Sequence, residues 1–135
     1  MSTRSVVHIK NNDKVYTYYR QCDGYLNVAG QDLADLLKTS KNSSNFLILV
    51  NHCAYNDGDY VYEHRDTHNF CSMEYDYLYE NYNQEYTYNI IFSKDENNKI
   101  VCDLTAYNDD MGILYNSKNY KNIVADNFLN YCKKQ

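Results

Sequence analysis

The chain opens with two short runs that alternate apolar and polar side chains: 4–10 (Arg-Ser-Val-Val-His-Ile-Lys) and 14–20 (Lys-Val-Tyr-Thr-Tyr-Tyr-Arg). A period of two marks half-buried strands; it puts Val7 with Ile9 on one face, and Tyr16 with Tyr18 on one face of the partner. Asn11-Asn12-Asp13 between them suits a hairpin turn, because Asn and Asp tolerate positive φ. Asp23-Gly24 predicts a second tight turn. The pattern then becomes helical over 31–39, with Leu33, Leu36 and Leu37 as the apolar stripe and Asp32, Asp35 and Lys38 facing water. Residues 43–54 fit two patterns: a helix capped by Ser43 or Ser44, or a buried strand over Phe46–Val50. The helix is the expected outcome, since a second helix after Leu37 would cover one face of a sheet.

Beyond Asn56-Asp57-Gly58-Asp59, a turn, residues 60–64 read as a strand. Residues 65–73 are the least regular part of the chain. Over 74–80, Tyr75, Tyr77 and Tyr79 alternate with acidic or apolar neighbours, a half-buried strand pattern. Residues 85–93 form the clearest strand, and 100–107 complete a hairpin with them across the polar turn 94–99. Gly112 marks another turn, with a short strand at 113–115. Residues 122–132 predict a closing helix whose apolar side includes Ile123, Val124, Phe128 and Cys132, with Lys133 and Lys134 well placed at its C-terminus. No internal repeat or linker interrupts the chain. Strands in hairpins and helices in separate blocks predict one α+β domain over 1–135: an antiparallel sheet of about five to six strands, with two or three helices packed on one face.

Composition sharpens this picture. At 135 residues and 44% apolar content, the chain has the size and character of a single globular domain. Tyrosine dominates the aromatics, with 17 Tyr against four Phe and no Trp. That suits half-buried sheet positions and recognition surfaces alike, and a Tyr, Asn and Lys bias also follows from an AT-rich genome. A net charge of -5 argues against direct nucleic-acid binding, which calls for a basic patch. No apolar run approaches the roughly 20 residues that span a bilayer, and Met1-Ser2-Thr3-Arg4 lacks the apolar core of a signal peptide. A cytoplasmic protein is expected, with no membrane partner. Cys22, Cys53, Cys71, Cys102 and Cys132 are odd in number, widely spaced and free of any CxxC pair, so they read as thiols of a reducing compartment.

Candidate chemistry is sparse. His64, His68 and Cys71 have metal-ligand side chains at a spacing that would align on a helix, with His52-Cys53 as a further donor. No CxxC or HExxH pattern accompanies them, so neither a metal nor any other cofactor is expected. Nothing pairs one cysteine with one histidine, and Asp57, Asp59, Asp109 and Asp110 are turn residues first. No catalytic residue is assigned. Two binding candidates remain. The first is Arg20, Asp23 and Tyr25: Arg20 can pair with Asp23 or another carboxylate as a structural lock, or face a ligand anion beside a stacking tyrosine. The second is the acidic tyrosine run of Glu74, Tyr75, Asp76, Tyr77, Tyr79 and Glu80, whose carboxylates and rigid rings suit a basic groove on a partner protein.

Thr3-Arg4-Ser5, then Tyr19-Arg20-Gln21 with Asp23-Gly24-Tyr25, then Gly30, Leu33 and Ala34, form a set that resembles a family of small uncharacterised proteins from bacteria and their phages. In that family a Thr-Arg-Ser triplet heads a strand, and a Tyr-Arg-His/Gln-x-Asp-Gly-Tyr-Pro turn leads into a Gly-x-x-Leu-Ala helix. Glu85-Tyr86-Thr87-Tyr88 is similar to the family's tyrosine-rich strand. Leu26 stands where the family has Pro, and Val28 where it has a further Gly. The resemblance implies a mobile-element setting and no particular reaction. Together with the acidic tyrosine run, it leads to the expectation of a non-enzymatic accessory protein that binds a host protein. The most specific form is an anti-CRISPR-like inhibitor of a host defence nuclease. A homodimer is compatible with these features, and a binder of small nucleotides or signalling molecules through Arg20, Asp23 and Tyr25 is the alternative.

Overall fold

A computed structural model describes residues 3–20, 23–53, 65–68 and 84–135, with 65–68 as backbone. Strands β1 (Ser5–Asn11) and β2 (Lys14–Arg20) form the first hairpin, and Asn12 adopts φ 58 in its turn. On its other side β2 pairs with β3 (Arg65–His68). Strands β4 (Tyr86–Lys94), β5 (Ile100–Asn108) and β6 (Gly112–Tyr120) make an antiparallel meander. The two halves join where β1 lies parallel to β4, with Ser5 opposite Tyr86, giving a six-stranded sheet in the order β3-β2-β1-β4-β5-β6. The expected α+β class holds, with one correction: the central pair is parallel. A parallel pair needs a long crossover, and the chain between β2 and β4 supplies it.

A short π-helical turn (Leu26–Gly30) leads directly into α1 (Gln31–Thr39); α2 (Ser43–His52) and α3 (Lys121–Lys133) follow. Their apolar sides meet one face of the sheet. Val7, Ile9, Tyr18, Tyr88, Ile90 and Leu104 from the strands pack in one core with Leu33, Leu37, Phe46, Val50, Val124 and Phe128 from the helices. Gly30 lets α1 approach α3: a Cβ there would stand 2.7 Å from Cys132 Sγ. At the end of α1, the Lys121 ammonium donates to the Leu37 carbonyl at 2.8 Å, and so does the Ser40 hydroxyl. These bonds satisfy a backbone acceptor that a helix end leaves open.

Several elements differ from the sequence reading. The cap of α2 is Asn42, whose side chain accepts from Asn45 N at 2.8 Å; Ser43 instead donates to Asn11. Strand β6 runs over nine residues rather than three. As an edge strand with most side chains exposed, it lacks the alternating burial that would have revealed its length. The expected strands at 60–64 and 74–80 lie outside the described residues. Among the described residues, no helix is long and apolar enough to cross a membrane.

The second face of the sheet is built differently. Thr17, His8, Asn89, Thr105 and Asn116 stand opposite one another in register across β2, β1, β4, β5 and β6. Thr17, His8 and Asn89 are buried, while Asn116 is exposed and donates to Thr105 Oγ1 at 2.6 Å. His8 Nδ1 and Thr17 Oγ1 share a 2.9 Å hydrogen bond. Burial holds the His8 imidazole well below its ordinary pKa, at about 3, so it is neutral in the fold.

Candidate functional site

The turn after β2 is fixed from several sides. Asp23 adopts φ 57, a left-handed conformation that Asp tolerates. Gly24 N donates to Thr3 O at 2.9 Å, and Gly24 O accepts from the Tyr88 hydroxyl at 2.7 Å. A Cβ on Gly24 would lie 2.8 Å from Ser5 Cβ and 2.9 Å from the Arg4 carbonyl carbon, so this close approach requires glycine. Arg4 O accepts from Glu85 N and Tyr86 N, while Arg4 N donates to Glu85 Oε2 at 2.5 Å. Thr3, Arg4 and Ser5 thus form one corner with the more distant Gly24 above the start of β4.

Arg20 belongs to the frame of that corner. Its guanidinium meets Asp32 of α1 at 2.9 Å, and the residue is 6% exposed. Of the pairings open to Arg20 as a structural lock, with Asp23 or with another carboxylate, the second is found: Asp32 ties β2 to the first helix. Asp23 contributes its backbone conformation. Tyr25 and Asp23 are both exposed, Tyr25 at 44%.

Tyr25 leads to a hollow of about 240 Å³ at this end of the sheet, lined by Tyr25, Leu26, Tyr86, Met111, Leu114 and Tyr131. Asn27 and Gln135 add polar groups to its lining. The rings of Tyr25 and Tyr86 meet edge to face with centroids 6.2 Å apart. Tyr131 packs against Tyr115 at 4.7 Å and donates its hydroxyl to Leu114 O at 3.2 Å. The β5–β6 register shifts beside Ala106 and Tyr107, so Leu114 falls between the paired residues Tyr115 and Ile113. Such a bulge re-aims the strand, here at the edge of the hollow. Met111 and Ile113 stand 71% and 65% exposed nearby.

Asp109 and Asp110 directly precede Met111, which lines the hollow. Asp109 N donates to Glu85 O at 2.8 Å, which brings the β5–β6 turn against the residue preceding Tyr86. Asp109 and Asp110 are exposed, and the turn itself is held by Asn108 Oδ1, which accepts from Asp110 N and Met111 N. Lys133 and Lys134 are exposed on the helix side. A second hollow of similar volume lies at the opposite end of the sheet, with Asn11, Asn12, Ser43, Ser93 and Lys94 in its wall.

Among the described residues, three candidate nucleophiles and bases are enclosed. Burial pushes the Cys102 and Cys132 thiols up to about 12, far from the reactive thiolate form, and His8 is enclosed. His52 and Cys53 close α2, His68 ends β3, and His64 and Cys71 lie outside the described residues. No group of three or more His, Cys, Asp or Glu side chains suited to a metal gathers among the described residues. The acidic run Glu74, Tyr75, Asp76, Tyr77, Tyr79 and Glu80 also lies outside them.

Of the hollow, sequence reasoning had singled out Tyr25. Tyr86 and Tyr131 read as strand and helix residues, and Met111 precedes the turn marked by Gly112. Nothing local signals that four distant segments meet. The chain matches none of the protein-family models, curated proteins or solved structures with which it was compared.

Proposed function

We propose that this chain is a non-enzymatic binding protein that docks a partner protein at the tyrosine-lined hollow. The observation that carries the reading is the grouping of exposed Tyr25 and Met111 around a concave, aromatic-walled site, with Ile113 exposed beside it. Aromatic and methionine side chains are enriched where proteins meet, and concave sites take the anchoring side chain of a partner. The resemblance to small bacterial and phage proteins supports a mobile-element setting. Leu26 occupies the first helical position, where the family's proline fits because that N–H has no intrahelical acceptor. In that setting the partner is a host protein, in the most specific form a defence nuclease, with the acidic run Glu74 to Glu80 as a further contact.

The test is phage plaquing on a host with an active CRISPR nuclease. Expression of the chain is expected to raise plaquing and to yield a stable complex with that nuclease. Tyr25→Ser with Met111→Asp is expected to weaken the complex at least about tenfold, since each removes an anchoring contact worth roughly 1 kcal/mol or more. Circular dichroism checks that the fold persists. No gain in plaquing removes the nuclease target; an undiminished complex in the double variant removes the hollow.

A further inference from the structure

We infer that the side chain seated in the hollow is an arginine of the partner protein. This rests on the hollow being a docking site, and adds the chemistry of its occupant. Tyr25 and Tyr86 meet at an interplanar angle of 64°, so two ring faces turn different ways at one wall, with Tyr131 also in the lining. Ring faces carry partial negative charge and attract a cation laid over them. The carboxylates that neighbour this wall are those of exposed Asp109 and Asp110, which directly precede the lining residue Met111; the 2.8 Å bond from Asp109 N to Glu85 O holds their turn beside Tyr86, while the Glu85 carboxylate is taken by Arg4 N. Asp23 lies two positions before Tyr25.

This acidity is local. The turns at the other end of the sheet carry Lys10, Lys14, Lys94 and Lys99 against Asp13, Asp95 and Glu96. Arg4 is the cation beside Glu85, and Lys133 and Lys134 stand on the helix side, which directs an incoming cation toward the sheet side. Arginine fits better than lysine because its planar guanidinium stacks on tyrosine while its N–H groups pair with carboxylates. Asn27 and Gln135 in the lining offer amide oxygens to the remaining donors. A phosphate-bearing partner would meet the same carboxylates as repulsion.

The experiment is an NMR titration of the full chain with three short peptides that differ at one central residue: arginine, its neutral isostere citrulline, or leucine. The arginine peptide is expected to shift the ring resonances of Tyr25, Tyr86 and Tyr131 and the Met111 methyl. Citrulline is expected to bind about tenfold more weakly, and Asp109→Asn with Asp110→Asn to weaken the arginine peptide about fivefold, as loss of a partly desolvated charge contact predicts. Lys133→Gln with Lys134→Gln is expected to tighten it about twofold, the size of a weak surface charge effect. Equal binding of citrulline and arginine, or an acid-neutralised variant that binds unchanged, overturns the arginine assignment. Leucine binding at the same resonances without arginine binding also overturns it, yet leaves the hollow as a docking site. If none of the three peptides moves these resonances, the docking reading falls as well.

Discussion

The two faces of the sheet bury their side chains by different means. On the helix face, Val7, Ile9, Tyr18, Tyr88, Ile90 and Leu104 meet Leu33, Leu37, Phe46 and Phe128, and the polar tips are satisfied: Tyr88 on Gly24 O, Tyr18 on Asn51 Oδ1. On the second face, the buried row runs through Thr17, His8 and Asn89. His8 Nε2 and Asn89 Oδ1 meet no hydrogen-bond partner among the described residues. Equal burial therefore conceals unequal energetics. Apolar contact dominates one face, while the other mixes buried Val6 and Val15 with desolvated polar groups that penalise folding unless satisfied.

The comparison breaks most visibly at Leu37. Leu37→Ala opens a cavity between α1 and the rest of the core, and is expected to lower stability by about 3 kcal/mol. Chemical denaturation measures it, and a loss under about 1 kcal/mol would mean that the helix face is no better packed than the other.

Acid tests the second face. His8 has an ordinary pKa of 6.5 and is held at about 3 in the fold, so the unfolded chain binds more protons below pH 6.5. Stability from this group is complete above pH 6.5 and declines at about 1.4 kcal/mol per pH unit as pH falls toward 3. By pH 5 the loss is about 2 kcal/mol. His8→Gln is expected to remove this part of the acid dependence, and an unchanged denaturation profile between pH 7 and 5 would contradict the enclosure of His8.

The smallest effect is expected at Asn89. Replacing it with Leu removes a buried acceptor that lacks a partner among the described residues, and is expected to change stability by no more than about 1 kcal/mol in either direction. A loss as large as that at Leu37 would show that Asn89 is fully hydrogen-bonded, and would erase the contrast between the faces.

Much of the helix face was readable in the chain itself. Val7 with Ile9, the Leu33 and Leu37 stripe, and the strand at 85–93 announce their burial by period. The second face was harder, because Thr17, His8 and Asn89 look like solvated positions until their register is known. The same limit governs the site. Asp23-Gly24 marks a turn, and Tyr25 an aromatic at its edge. That Arg20 reaches Asp32 rather than Asp23 depends on where α1 lands. Tyr86, Met111 and Tyr131 meet Tyr25 only after β4, β6 and α3 have taken their places. A bulge at Leu114 and a turn held by Asn108 leave no period to detect.

The parallel pairing of β1 with β4 also sets the order in which this protein is able to form. Arg4 and Glu85 are 81 positions apart, yet they meet at the seam between the two halves. A ribosome must deliver β4 before that seam closes, while the β1–β2 hairpin waits with the inner edge of β1 unpaired. Contacts so distant along the chain close late and slow the search for the native state. Until then that edge is open to strands of other chains. During synthesis, the seam that later anchors the sheet is a place where it is open to mispairing.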